Sequence, residues 1–348
     1  MLHSLRLELQ RTLQRDLDIC PIEDKGLAHW HVLLVGTGLL ARIPKQSQMG
    51  LGPFENLAYE AACFKRTFAC GHVPRLDYAV QPTLGLPWGA LLVEEIIGAP
   101  ANSPDHVAPI MQALASIHLL PIPVACERTP ILNENDPLVG MLRLVLAQSV
   151  YLDHPLIPKV SCNTITKRLN ALSATIPEIC DGIAPRLITF DAHPGNFLIT
   201  PTGKAMLVDL EKLRYSYPPL DLAHATLYTS TTWDVDASFT LSTAQIARAY
   251  EVWISAAGAI AEPYLAALVP LRELMWLWSV TWCAKWLTES VKPKHASDAG
   301  GEDWSQANSD ASLIRHVRSR VDDYLSISTI NQVLSEFNEL DRLFAHSS

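Results

Sequence analysis

The spacing of apolar and polar positions changes rhythm twice along the chain. Over the first hundred residues, short apolar runs alternate with turns. HVLLVG (31–36) and LLARIP (39–44) flank Thr37-Gly38 and predict a β-hairpin. Leu57, Ala61, Phe64 and Phe68 then recur at helical spacing, with Gly71 as a stop signal. VPRLDYAV (73–80) and GALLVEEII (89–97) are further strand candidates. From Ser103 the period becomes helical, through DHVAPIMQALASIHLL, DPLVGMLRLVLAQSVYL and TKRLNALSATI. A β-rich island at 186–211 interrupts it before helices resume. Residues 288–311 are polar and rich in small side chains and predict a mobile loop. The outline is α+β: a smaller β-rich lobe over residues 1–98, then a larger, mainly helical lobe over 99–348 that carries one β-hairpin.

Composition narrows the function classes. With 49% apolar residues the chain can build a large core. A net charge of −9 argues against nucleic acid as a partner, because phosphate backbones call for a basic face. Seven cysteines, an odd number with no C-x-x-C pair, suit reduced thiols better than a disulfide framework or a zinc site. The N-terminal MLHSLRLELQRTLQRDL is amphipathic and lacks an apolar signal core. The most apolar region, 255–287, is broken by Glu262, Pro263, Pro270, Arg272 and Glu273, and its longest clean run is too short to span a bilayer. The expectation is a cytoplasmic protein with neither a membrane nor a nucleic-acid partner.

GTGLLA (36–41) matches the G-x-G-x-x-A pattern of dinucleotide-binding folds. That pattern needs a helix to begin at once. Here Pro44 follows within two turns, and LLARIP reads better as a strand, so the hairpin is preferred.

The chemistry concentrates in RLITFDAHPGNFLIT (186–200), where two apolar runs enclose an acid, an imidazole, a turn and an amide. The run continues through PTGK, AMLV and DLEKL, a second hairpin around Thr202-Gly203. A turn centred there sets Asn196 opposite Asp209, beside Asp191 on the preceding turn. An amide oxygen and two carboxylates make a hard, oxygen-rich site suited to Mg²⁺ and phosphates.

FDAHPGNFLI followed by LVDLEKL resembles the catalytic core of the aminoglycoside phosphotransferase and choline kinase-like family, which has the protein-kinase-like fold. The family pattern is roughly H-G-D-x-H-x-x-N, an apolar hairpin, then I-D-[WF]-E. On this resemblance Asp191, in a catalytic loop at 189–196, is the catalytic base. Asn196 and Asp209, the latter in a metal-binding segment at 207–211, are Mg²⁺ ligands, and ATP or GTP is the co-substrate. Glu211 matches the acid two residues after the metal-binding Asp, and His193 the family's own histidine. Arg42 in LLARIP resembles the nucleotide-phosphate cation, Glu60 the helix acid that pairs with it, and Glu95, Ile96 and Ile97 the hinge that meets the base. His118, in LASIHLLP, is expected to be a buried structural residue. Asp221, in PPLDLAHA, is expected to brace the catalytic loop. The implied function is a small-molecule kinase acting on a hydroxyl of an aminoglycoside, choline-like amine, sugar or amino alcohol, and the acidic charge balance is compatible with a cationic acceptor.

Two departures stand out. Thr189-Phe190 replaces the family's His-Gly, and arginine stands at 42 where many members have lysine. They leave open a second reading, a catalytically impaired nucleotide-binding member of the same fold. The expected phosphate loop, DKGLAHWH (24–31), holds a single glycine, Gly26. Trp276, Trp278, Trp282 and Trp286, of which the last three share one helical face, are with Trp233, Asp234 and Asp236 candidates to line the acceptor pocket, although such a stripe usually belongs to a core.

Overall fold

The structure is a computed structural model that describes residues 2–13, 17–22, 28–290 and 311–345. Most of the expected 288–311 loop and the first half of the expected phosphate loop, including Gly26, lie outside the described residues.

The N-terminal part contains α1 (Leu2–Leu13), β1 (Ile19–Pro21), β2 (His29–Leu34), β3 (Leu39–Pro44), α2 (Pro53–Thr67), β4 (Leu76–Val80) and β5 (Ala90–Glu94). The second part opens with β6 (Ala99–Pro100), α3 (Val107–His118), β7 (Leu132–Asn133), α4 (Pro137–Ser149) and α5 (Lys159–Ile179). The catalytic stretch follows as β8 (Arg186–Ile188), β9 (Phe197–Ile199), β10 (Ala205–Leu207) and β11 (Arg214–Ser216). The rest is helical: α6 (Pro218–Thr226), α7 (Tyr228–Thr231), α8 (Thr243–Ala257), α9 (Leu268–Glu289), α10 (Ala311–Tyr324) and α11 (Ile327–Ala345). This is the bilobal protein-kinase-like arrangement, a small antiparallel sheet followed by a larger helical part.

The first sheet runs β1-β2-β3-β5-β4 and is antiparallel throughout. GTGLLA forms the β2–β3 turn and the start of β3, with Leu34 paired to Leu39, so no helix begins there and the dinucleotide pattern is excluded. Strand alternation divides β5 between two cores. Ala90 and Leu92 join Leu5, Leu9, Val32, Leu34 and Ile43 under α1, whereas Leu91 and Val93 face the main core with Leu57 and Phe64 of α2. Two smaller sheets, β10-β9-β6 and β7-β11-β8, frame the catalytic loop.

The helical part is organised around α9, whose residues are apolar nearly all round and buried, as a central helix requires. Its two buried charges, Arg272 and Glu273, are satisfied in place. Arg272 binds Glu336 at 2.6 Å and the hydroxyls of Thr226 and Tyr250, while Arg168 grips Glu273 through two 2.6 Å bonds. Caps fix the neighbours: Asp136 accepts from Leu138 and Val139 N–H at the start of α4, with Pro137 at the first helical position. All seven cysteines are free. Among the described residues no helix is long and apolar enough to cross a membrane.

Candidate active site

The second hairpin brings the chemistry together, in a register one residue from that expected. Leu207 pairs with Phe197, and Val208 N–H donates to Asn196 O at 2.9 Å, so Asn196 lies opposite Val208 and not Asp209. The reason is the turn. It is a three-residue loop, Pro201-Thr202-Gly203, with Gly203 at φ +79°, a left-handed position natural for glycine. Asp209 therefore begins the segment just past the paired strand end. Leu207 N–H bonds His72 O, and Tyr59 Oη bonds Leu213 O, which ties this segment to the N-terminal part.

Asp221 at the start of α6 holds the loop before the hairpin. It accepts Thr189 N–H at 2.7 Å, Phe190 N–H at 2.8 Å and His118 Nε2–H at 3.0 Å. Trp253 Nε1–H donates to His118 Nδ1 at 2.9 Å, which assigns the Nε2–H tautomer to His118. These bonds hold Phe190 at φ +59°, a left-handed conformation costly for a bulky residue. Its ring is buried, with the Arg214 guanidinium 3.6 Å above it and Trp278 edge-on at 5.3 Å. Phe190 is thus held between a guanidinium and an indole ring at the turn that presents Asp191.

Asp191 forms a 2.9 Å ion pair with Lys212 and has His224 Nδ1 at 3.7 Å. Burial pushes its carboxyl up, but Lys212, then His193 and His224, outweigh burial and hold it well below the usual carboxylate range. Burial drives His224 the other way, down to about 4. Asn196 Nδ2 donates to Asp191 O at 2.8 Å, which leaves its Oδ1 as the free acceptor. Gly195 is required where it stands, since a Cβ there would lie 2.7 Å from an Asp234 carboxylate oxygen.

The opposite wall comes from β2, β3 and α2, and here the expected pairing is corrected. Glu60 does not hold Arg42. One of its oxygens binds His29 Nε2 at 3.0 Å and the other accepts from Asn56 Nδ2 at 2.7 Å. The long Arg42 side chain reaches past Glu60, to Val208 O at 2.7 Å and Asp209 Oδ1 at 2.8 Å, with Nη2 3.5 Å from His29 Nδ1. Burial pushes Asp209 up, and Arg42 and His29 overcome it to give a lowered carboxyl. Glu211 goes up, through burial and then the neighbouring Asp209. His29, Asp209 and Glu211 bring one ligand atom each within 4.8 Å of one another.

At the hinge, Glu95 N–H is committed to Gly38 O at 2.9 Å, while Ile97 is exposed. A cavity of about 490 Å³ opens on the far side of Lys212. Trp278 and Trp282 line it; Trp276 and Trp286 are instead buried in the main core, and Trp233, outside the lining, packs on Trp282 at 5.4 Å. Asp234 and Asp236 lie outside its lining, and Asp234 instead caps a turn by accepting Asp236 N–H.

Sequence reasoning missed Lys212, His29 and Arg214. Lys212 follows Glu211 with no pattern of its own, and it reaches Asp191 only because the chain turns after β10. His29 and Arg214 are ordinary strand residues until pairing sets their neighbours.

Residues 25–262 match the family described as "Phosphotransferase enzyme family". Among solved structures, the GDP complex of wild-type aminoglycoside 2'-phosphotransferase-IIIa aligns with TM-score 0.63 and 15% identity over 93% of this chain and 98% of that one. A choline/ethanolamine kinase family protein from Mesorhizobium loti gives TM-score 0.58 and 15% identity over 93% and 98%. The apoenzyme of a macrolide 2'-phosphotransferase from Brachybacterium faecium gives 0.58 and 14% over 93% and 98%. No curated protein matches the sequence significantly.

Proposed function

Because the chain belongs to the phosphotransferase enzyme family, we propose that it transfers the γ-phosphoryl group of ATP or GTP to a hydroxyl of a small molecule, with Asp191 as the base. The observation that carries this reading is the Asp191 carboxylate, held ionised by Lys212 and linked through its own carbonyl to Asn196. A carboxylate so poised can orient an acceptor hydroxyl and take its proton as the oxygen attacks the γ-phosphorus, with the nucleoside diphosphate leaving.

The donor set fits Mg²⁺. Asn196 Oδ1 and Asp209 are hard oxygens, and Asp209 Oδ2 makes no hydrogen bond among the described residues. The ion, when bound, neutralises phosphate charge and orients the triphosphate. Arg42 would meet the phosphates from β3 by exchanging its bond to Asp209 for one to a phosphate oxygen. Ile96 and Ile97 offer hinge backbone for the base, with Glu95 supplying its carbonyl, as its amide is already used. The free thiols support a reducing, cytoplasmic setting.

The Arg42–Asp209 pair also favours a second reading, an impaired member in which that pair persists and blocks the metal. Transfer from radiolabelled Mg·ATP and Mg·GTP to a panel of hydroxylated acceptors tests both. Turnover that is lost in Asp191→Asn, with nucleotide binding kept, supports the kinase. Full turnover in Asp191→Asn refutes the base assignment. Binding without turnover for any acceptor favours the impaired reading.

A further inference from the structure

We propose that the acceptor is an anion: a hydroxylated small molecule bearing a carboxylate or phosphate, bound in the cavity beside Lys212 with its charged group on Arg214. This deepens the kinase reading and rests on it for the reaction, but not for the binding.

The charge of the cavity runs against that of the chain. The protein carries a net −9, yet the cavity wall holds four cations, Arg143, Lys212, Arg214 and Lys285, and one acid, Glu134. Lys212 is paired with Asp191, and Arg143 meets Glu134 only loosely, at 3.7 Å. Arg214 differs from the other arginines of the interior. Arg272 is saturated by Glu336 and two hydroxyls, whereas Arg214 has no carboxylate partner among the described residues. Its Nε donates to Lys212 O at 3.1 Å, and its two terminal nitrogens make no hydrogen bond among the described residues. Burial accordingly lowers its pKa, opposed first by Tyr59 and then by the carboxylates of Glu134, Asp191 and Asp221, none of them paired with it. A guanidinium fixed flat on Phe190 presents the planar donor fork that matches an oxyanion in two parallel bonds.

The cavity is distinct from the nucleotide cleft. None of Arg42, Asp209, Asn196 or the hinge residues lines it, so its cations are not explained by the triphosphate. It joins the chemistry at one place, the 2.9 Å contact of Lys212 with Asp191. An anion on Arg214 would therefore hold its hydroxyl toward the base. A cationic acceptor would face the same charges as repulsion, which a site built against the wrong partner commonly shows.

Trp278 and Trp282 in the wall give a fluorescence readout. The protein, with Mg·ADP saturating and its occupancy checked in each variant, is titrated with inorganic phosphate, acetate, glycerol and tetramethylammonium. The expected result is binding of phosphate or acetate at least ~10-fold tighter than glycerol or the cation. Affinity should fall about 10-fold in Arg214→Gln and about 2-fold in the exposed Arg143→Gln, which guards against a folding defect at Arg214. Preference between phosphate and acetate identifies which anionic group the site takes. Binding of the cation in preference, equal weak binding of all four probes, or anion binding untouched by both substitutions would overturn the proposal. Failure of Mg·ADP to bind at all instead removes the kinase reading, while the anion titration without nucleotide still decides the cavity.

Discussion

Asp221 and Asp191 sit on either side of the same turn and are handled in opposite ways. Asp221 is fully buried and saturated, accepting two backbone N–H groups and the His118 imidazole, itself fixed by Trp253. Asp191 has only Lys212 in firm contact, and the imidazoles around it, His193 and His224, each leave a buried Nδ1 with no hydrogen bond among the described residues. A buried polar atom left unsatisfied costs about 1–3 kcal/mol, so a chain that completes one network and leaves the next open is paying for reactivity. Arg272 and Arg214 repeat the contrast. Saturation fixes geometry; vacancy accommodates a ligand.

The contrast predicts which substitutions cost activity and which cost stability. The largest expected effect is in Asp191→Asn, which should lower transfer by roughly 10²–10⁴-fold, with a loss of stability smaller than that at Asp221 as Lys212 loses its partner. A fall in stability with turnover intact would reverse the roles of the two acids. Asp221→Ala should do the opposite first, losing about 3–5 kcal/mol in denaturant unfolding as two N–H groups and His118 lose their acceptor. Little change there would mean the brace is not structural.

Phe190 sharpens the comparison at the turn itself. Both Phe190→Ala and Phe190→Gly lose the buried ring and the Arg214 stack, but only glycine also relieves the φ of +59°. Glycine should therefore be the less damaging by about 1–2 kcal/mol, the reverse of the order in a helix. Equal losses would show that the turn is not strained.

The most gradual effect is in pH. Burial lowers His224 to about 4 in the folded protein, so the unfolded chain binds more protons between that value and the ordinary 6.5. Stability should fall as pH drops through this window, by up to about 1.4 kcal/mol per unit, and His224→Asn should remove that part of the slope. An unchanged slope would mean the imidazole is not held neutral by burial.

Much of this was legible from local pattern. The alternation in residues 29–44 and the position of Pro44 were enough to reject the dinucleotide fingerprint, and FDAHPGN with VDLE carried the family. What remained hidden depended on packing between segments. The register of the second hairpin turned on whether Gly203 took a left-handed position within a three-residue loop, which shifts Asn196 by one partner. Glu60 was expected on Arg42 from the family resemblance, in which a helix acid pairs with the phosphate cation; His29, set beside it by strand pairing, takes the acid instead. The Lys212–Asp191 pair and the basic cavity involve residues whose spacing in the chain carries no periodic signal.

In the proposed mechanism Asn196 and Asp209 would hold the metal that binds the nucleotide, while Asp191 serves the acceptor. Calorimetric titration of ATP and GTP, with and without Mg²⁺, into wild type, Asp209→Ala and Asp191→Asn addresses it most directly. Binding should depend on Mg²⁺ in the wild type, be lost in Asp209→Ala, and be retained in Asp191→Asn. Binding that is indifferent to Mg²⁺, or that survives Asp209→Ala, would contradict it.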